Sequence, residues 1–233
     1  MKAFLLAAGV GSRLRPLTDT IPKCMVEIDG RPLLDIWLDA FERAGVDEVH
    51  VNLHHLPDIV RHHLAARPAP PIVSTSFEPA LLGSAGTLLA NRDWIAGEAM
   101  FLACNADNLT DFDLRKLVDA HESGGAAATL TVFRSDRPSA GGVVELDDAA
   151  RVVGFVEKPC KPRSDLVNAG MYAFSPGVLD EVGGALPRDI GYDLLPRLVG
   201  RARAVVVDGY FRDIGTPEAY HRAQAEWCRS APR

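Results

Sequence analysis

Residues 1–26 read MKAFLLAAGVGSRLRPLTDTIPKCMV. The apolar run Lys2–Ala8 leads straight into Gly9 and Gly11, and Arg13, Arg15 and Lys23 follow. Like charges crowded into one loop repel unless an anion lies among them. Glycines let backbone N–H groups close on such an anion, an arginine offers it a planar two-pronged donor, and a lysine adds a point charge. The stretch therefore predicts a strand, a turn and a polyphosphate site.

Downstream, apolar spacing alternates between the strand and helix periods. Pro32–Ala44 reads as a helix ending at Gly45, Glu48–Leu53 as a strand, and Pro57–Ala66 as a helix with proline in its first turn. Ile72–Phe77 is a third strand, Gly83–Trp94 a third helix and Ala99–Cys104 a fourth strand. Asp111–Ser123 then reads as a helix with Asp111 as its N-cap. Strand–helix alternation of this kind predicts an α/β chain with a doubly wound, mainly parallel, Rossmann-like sheet whose ligands bind along one edge.

The second half changes character. Ala127–Arg134, Gly142–Leu146 and Arg151–Glu157 are strand-like, and the short DDAA turn between the last two predicts a small β-hairpin beside the main sheet. Helices are expected at Pro176–Ala185, Tyr192–Gly200 and Pro217–Arg229, and a strand at Arg203–Asp208. No repeat or long linker interrupts the chain. Residues 1–233 read as one domain, with a nucleotide-binding half at 1–123 and a substrate-binding half at 124–233.

The net charge of −6 over 233 residues argues against a nucleic-acid binder, which needs a broad basic surface. Cys24, Cys104, Cys160 and Cys228 are widely spaced, so they form neither a zinc motif nor a disulfide framework and read as inert thiols. The run AFLLAA is too short for a signal segment, and nothing approaches the ~18 apolar residues of a membrane span. A cytoplasmic protein, without membrane partners and either monomeric or homodimeric, is expected.

Two familiar phosphate loops fail on the first turn. No lysine followed by Ser or Thr stands where a P-loop requires it, and the dinucleotide fingerprint breaks because Leu14 occupies its third glycine position. What remains, LAAGVGSRLRPLTDTIPK, closely resembles the signature loop of the sugar-1-phosphate nucleotidylyltransferases, G-x-G-x-R-x-x-P-L-T…P-K. The resemblance extends over almost the whole chain. EPALLGSAGTL (Glu78–Leu88) resembles the family's base-recognition stretch, with Gly83 and Gly86 letting backbone reach a nucleobase. CNADNLTD (Cys104–Asp111) resembles the segment carrying its metal-binding aspartate, here Asp107, with Ala106 where many members have glycine. Gly142, Glu157-Lys158-Pro159 and Asn168-Ala169-Gly170 resemble its sugar-phosphate segments, and FRDIGTPEAY (Phe211–Tyr220) resembles the element holding its second metal ligand, here Asp213.

The resemblance implies a nucleotidyltransferase fold of the glycosyltransferase-A-like type. It implies Mg²⁺-dependent transfer of a nucleoside monophosphate from an NTP to a sugar 1-phosphate. Arg13 and Lys23 would be catalytic. Ala7, Ala8, Gly9, Gly11, Ser12, Gly83, Gly86 and Asn105 would bind the nucleotide. Gly142, Glu157, Lys158, Asn168 and Gly170 would bind the sugar phosphate, and Asp107 and Asp213 the metal. Both aspartates follow apolar stretches and fall on the expected ligand edge, and Mg²⁺ suits them because it takes few carboxylates and completes its shell with water and phosphate.

A general likeness to short bacterial guanylyltransferases acting on mannose- or heptose-type phosphates favours GTP. Uridylyl, thymidylyl and cytidylyl transfer are the alternatives, and a glycosyltransferase or a non-catalytic homologue the remoter ones. A glycosyltransferase would not need Arg13 and Lys23, and a non-catalytic homologue would be expected to lose one of Lys23, Asp107, Lys158 or Asp213. His54-His55 and His62-His63 are adjacent pairs whose rings face apart, so they read as structural. Trp37, Trp94 and Trp227 read as core.

Overall fold

Strand β1 (Lys2–Leu6) buries Ala3 and Leu5 toward one face of a sheet and Phe4 toward the other, which is why it reads as a continuous apolar run. The computed structural model describes residues 1–67 and 70–230, with side chains to Trp227, so Cys228 lies outside the described side chains. In chain order the other strands are β2 (Glu27–Ile28), β3 (Arg31–Pro32), β4 (Glu48–Leu53), β5 (Ile72–Phe77), β6 (Phe101–Asn105) and β7 (Asn108–Thr110). They continue with β8 (Ala128–Arg134), β9 (Gly142–Leu146), β10 (Val152–Glu157), β11 (Leu166–Phe174), β12 (Ala202–Val206) and β13 (Phe211–Asp213). The α-helices are α1 (Leu33–Arg43), α2 (Pro57–Ala66), α3 (Ser84–Ala90), α4 (Leu114–Gly124) and α5 (Pro217–Ser230).

The main sheet runs β10-β9-β11-β6-β1-β4-β5, and β8 and β12 continue from β11. Its middle, β6-β1-β4-β5, is parallel, while β11 is antiparallel to β6, β8 and β9. Helix α1 presents Leu33, Leu34, Trp37, Leu38 and Phe41 at helical spacing to the Leu5 face, joined there by Leu114 and Leu117 of α4. The Phe4 face is covered by Ala85 and Leu88 of α3 together with Leu179, Leu194 and Leu198. No described helix is long and apolar enough to cross a membrane.

Several expectations need correction. Helix α4 starts at Leu114, and its N-cap is Asp113, whose side chain accepts from the Arg115 amide; Asp111 instead accepts from the Tyr210 amide across the β7–β13 pair. Helix α3 ends at Ala90, and a separate 3₁₀ turn spans Arg92–Ile95. The β9–β10 hairpin is not beside the sheet but part of it, through Val143 opposite Val167. Strand β11 has no counterpart among the expected elements, since Asn and Gly are residues that local preference places in turns; a register irregularity between Asn168 and Tyr172 accommodates Asn168 and Gly170. The two helices expected after it are a 3₁₀ turn (Pro176–Glu181) and a π-turn followed by a 3₁₀ turn (Ile190–Leu198), cut short by Gly183-Gly184 and Pro196.

Two buried histidines give the fold a pH dependence. Both ring nitrogens of His50 hydrogen-bond, to Ser74 and Ser76, and those of His121 meet Thr129 and Ser175. Burial pushes both imidazoles below their ordinary value. Below pH ~6.5 the unfolded chain therefore takes up protons that the folded chain refuses, so stability is lost as pH falls from about 6.5 toward the folded values. Each unit of displacement is worth about 1.4 kcal/mol. Urea unfolding at pH 7.5 and 5.5 should show that loss, and His50→Gln or His121→Gln should reduce it.

Candidate active site

The site follows from the register of the parallel strands. Leu6 lies opposite both Asn52 on β4 and Asn105 on β6, so three strands end at one level. The loops leaving them line a cleft of about 780 Å³ that extends from Ala7, Ala8 and Gly9 to Lys158 and Asn168.

On the β1–β4 side a buried hydrogen-bond network sets the first loop. The Ala7 amide donates to Asn52 Oδ1 at 2.7 Å, and Asn52 Nδ2 donates to Glu78 Oε1 at 2.8 Å. The Thr87 hydroxyl donates to the same oxygen at 2.6 Å, and the Leu82 amide to Glu78 Oε2 at 3.0 Å. Glu78 is only 3% exposed, so this saturation is what makes its burial tolerable. Glu78 and Thr87 fall inside the Glu78–Leu88 stretch, but nothing local in the sequence signals their joint bond to Asn52, which lies on a different strand.

The Gly83–Gly86 stretch also has a packing task. Gly83 holds φ 77° and ψ 158°, a conformation essentially restricted to glycine, and the Arg188 carbonyl occupies the space where a β-carbon would lie. The amides of Ala85 and Gly86 both donate to that carbonyl, at 3.0 and 3.1 Å. These glycines thus dock the 186–189 segment onto α3. Gly83 lines the cleft, whereas Gly86 lies under Leu186. Gly11 and Ser12 are also absent from the cleft wall; Gly11 (φ 68°) packs on Thr18, whose hydroxyl donates to its carbonyl at 2.7 Å.

The charged centre draws from three distant parts of the chain. Lys23 Nζ lies 2.6 Å from Asp107 Oδ2 and 4.0 Å from Asp213 Oδ1, with its side chain 9% exposed. Asp107 sits between β6 and β7, and Asp213 ends β13, which pairs with β7 through Asp213 opposite Asn108. Gly215 is the floor of this cluster. A β-carbon there would be 2.8 Å from Asp213 Oδ1, 3.1 Å from Lys23 Nζ and 3.2 Å from Arg13 Nη2. The Asp213 side chain is 56% exposed at the cleft, yet desolvation by the loops around it first, and the Asp107 charge second, hold its carboxyl above its ordinary pKa, against Lys23, the Gly215 amide and Arg13. Among the described residues no group of three or more His, Cys, Asp or Glu forms a metal site. Two carboxylates that repel each other and need a cation between them still fit Mg²⁺, which borrows its remaining ligands from water and phosphate.

The opposite wall carries the other predicted residues. Glu157 closes β10, and its Oε2 lies where β-carbons on Gly142 and Gly191 would need to be, 2.6 Å in each case. Burial raises its pKa, Lys158 opposes this, and Asp189 adds to it. Lys158 itself has φ 47°, unusual for a non-glycine residue. Asn168 donates to the Tyr172 hydroxyl at 2.6 Å and accepts from the Gly170 amide at 3.1 Å, while Asn105 and Gly170 line the cleft beside them. Asp189, Gly191 and Ser84 also line this wall; Ser84 donates to Asp189 at 2.9 Å, a connection with no local signal in the sequence.

Arg15 pairs with Asp19 in solvent, and His54 and His55 hydrogen-bond to the carbonyls of Glu78 and Thr18. Trp37 is buried, Trp94 packs on Phe4 and His50, and Trp227 on Tyr210.

Residues 2–230 match the family described as nucleotidyl transferase. Mannose-1-phosphate guanylyltransferase 1 of Arabidopsis thaliana is 33% identical over 228 residues, covering 94% of this chain and 63% of the relative. Mannose-1-phosphate guanylyltransferase catalytic subunit beta of Danio rerio is 33% identical over 236 residues, 99% of this chain and 65% of the relative. The chain thus spans somewhat under two thirds of the length of these curated relatives. Among solved structures, HddC from Yersinia pseudotuberculosis superimposes with a TM-score of 0.81 at 26% identity, covering 97% of this chain and 99% of that one. The same protein complexed with GMP-PN gives 0.80 at 26% identity, with the same coverage.

The glycines separate in a stability test. Gly83→Ala combines a disfavoured conformation with collision against the Arg188 backbone, and should lower the unfolding free energy by more than about 2 kcal/mol. Gly9→Ala meets no atom within 4 Å, so its loss should stay below about 1 kcal/mol. Denaturant titration of both variants provides the measurement.

Proposed function

Because the chain belongs to the nucleotidyl transferase family, we propose that it transfers GMP from GTP to a sugar 1-phosphate, releasing pyrophosphate and a GDP-sugar. The observation that carries the reading is the convergence of Arg13, Lys23 and Asp213 on Gly215, with Asp107 ion-paired to Lys23, in one cleft with Lys158 and Glu157. The choice of GTP is supported by the guanylyltransferase names of the relatives and by the GMP-PN complex of HddC.

In this reading an oxygen of the sugar phosphate bonds to the α-phosphorus of GTP as the bond from that phosphorus to the bridging oxygen breaks. Pyrophosphate leaves with that electron pair. No protein nucleophile is required, so positioning and charge neutralisation supply the catalysis. The Ala7–Gly9 backbone and Asn105 would flank the nucleotide, with the residues around Gly83 beside its base. Arg13 would grip the β- and γ-phosphates and Lys23 would follow the charge that develops on them. Lys158 would hold the acceptor's phosphate, while Glu157, Asn168 and the backbone at Gly142 and Gly170 would face its hydroxyls. Mg²⁺ on Asp107 and Asp213 would neutralise phosphate charge when bound. Residues 1–123 would thus carry the nucleotide and 124–233 the acceptor, apart from Asp213, which closes the nucleotide side.

Pyrophosphate release measured over a grid of GTP, UTP, dTTP, CTP and ATP against mannose-, glucose- and heptose-type 1-phosphates tests the assignment. GTP with one of these acceptors should give the highest kcat/KM, and preference for another nucleotide would overturn the choice of base. Asp107→Asn and Asp213→Asn should each lower kcat by about two to four powers of ten. Full activity of both would remove the metal assignment. Lys158→Ala should raise KM for the acceptor more than KM for the nucleotide.

A further inference from the structure

With Asp107 and Asp213 taken as the metal pair of the proposed function, the charged cluster at Gly215 bears on how a divalent cation reaches them. We propose that Lys23 is a built-in substitute cation, which closes that pair to free divalent metal until the phosphates of a nucleotide draw its ammonium away.

Position supports this first. Nζ lies 2.6 Å from one carboxylate and 4.0 Å from the other, so a single cation already spans oxygens brought together from β6–β7 and β13. A magnesium-type ion binds carboxylate oxygen at about 2.0–2.1 Å, closer than an ammonium can come and through the same lone pairs. The two cations repel, so arrival of one requires departure of the other.

The local backbone favours exchange by side-chain rotation alone. Lys23 opens a 3₁₀ turn held by Met25 N–H to the Pro22 carbonyl (2.8 Å) and Val26 N–H to the Lys23 carbonyl (3.3 Å). Asp213 is fixed as well, accepting from the Gly215 amide at 2.6 Å. The movable part is the four-carbon stem of Lys23, whose head lies beside Arg13 at the bare Cα of Gly215. An anion gripped by Arg13 is therefore within a short swing of Nζ. Nucleotide and metal then bind with positive coupling: each removes the obstacle to the other.

The test is titration of Mn²⁺ alone into nucleotide-free protein, with free Mn²⁺ followed by electron paramagnetic resonance. Lys23→Met should bind Mn²⁺ at least about tenfold more tightly than the parent, within the usual range of site–site coupling. Lys23→Arg, which keeps a cation at the position, should stay within about threefold of the parent. Equal or weaker binding by Lys23→Met overturns the proposal. Should that variant fold poorly, Lys23→Gln keeps a donor beside Asp107, and the rise in its melting temperature with Mn²⁺ must exceed that of the parent. Asp107→Asn separates the two possible failures. If it abolishes Mn²⁺ binding while Lys23→Met brings no gain, the metal pair stands and the substitute-cation role falls. If Mn²⁺ binding ignores Asp107→Asn in both backgrounds, the metal pair itself is wrong and the proposal falls with it.

Discussion

The constraint from which the site derives is the register of β1 between two parallel neighbours. Leu6 faces Asn52 on one side and Asn105 on the other, so three chain segments turn out of the sheet at the same height. The Ala7 amide, now past the ladder, is taken up by Asn52, whose own amide reaches Glu78 and Thr87. One strand register thereby fixes the first loop, the entry to α3 and the approach to Asp107. A slip of one residue would turn Phe4 and Leu5 to the wrong cores and misalign all three loops.

The second organising element is electrostatic. A charge drawn out of water loses hydration and needs an opposite charge beside it. Lys23 escapes that cost through Asp107, and Asp107 and Asp213 escape their mutual repulsion partly through Lys23 and Arg13. The β7–β13 pair is only three residues long on each strand, yet it holds the carboxylates together. A minimal two-stranded ribbon is marginal alone and here leans on α5, which packs against β13 and β2.

Much of this is legible in the sequence where local pattern and environment agree. Pro57–Ala66, Ile72–Phe77, Glu48–Leu53 and Gly142–Leu146 can be read to the residue, because proline at a helix start and unbroken strand runs are strong local signals. Strand β11 cannot, since its Asn168 and Gly170 are turn-formers locally and strand residues only because neighbouring strands enclose them. The same holds for the packing at Gly83: the sequence gives no sign that the Arg188 backbone stands where a β-carbon would lie. Arg13, Lys23, Asp107 and Asp213 are recognisable from motif and strand ends. Gly215, Asp189 and Glu78, by contrast, owe much of their role to distant residues: Lys23 and Arg13 for the first, Ser84 for the second, Asn52 for the third.

The late arrival of β11 also matters for the chain as it emerges from a ribosome. Strand β6 finishes at Asn105, but the strand that covers its far edge is complete only at Phe174. During that interval a parallel sheet of β6, β1, β4 and β5 can assemble with the five-residue edge of β6 open, the kind of unpaired edge on which other chains pair and aggregate. Strand β8 cannot shield it, because β8 joins the sheet through β11. Protection of the nascent protein is thus assigned to a single nine-residue segment, and the same segment carries Asn168 and Gly170 into the cleft.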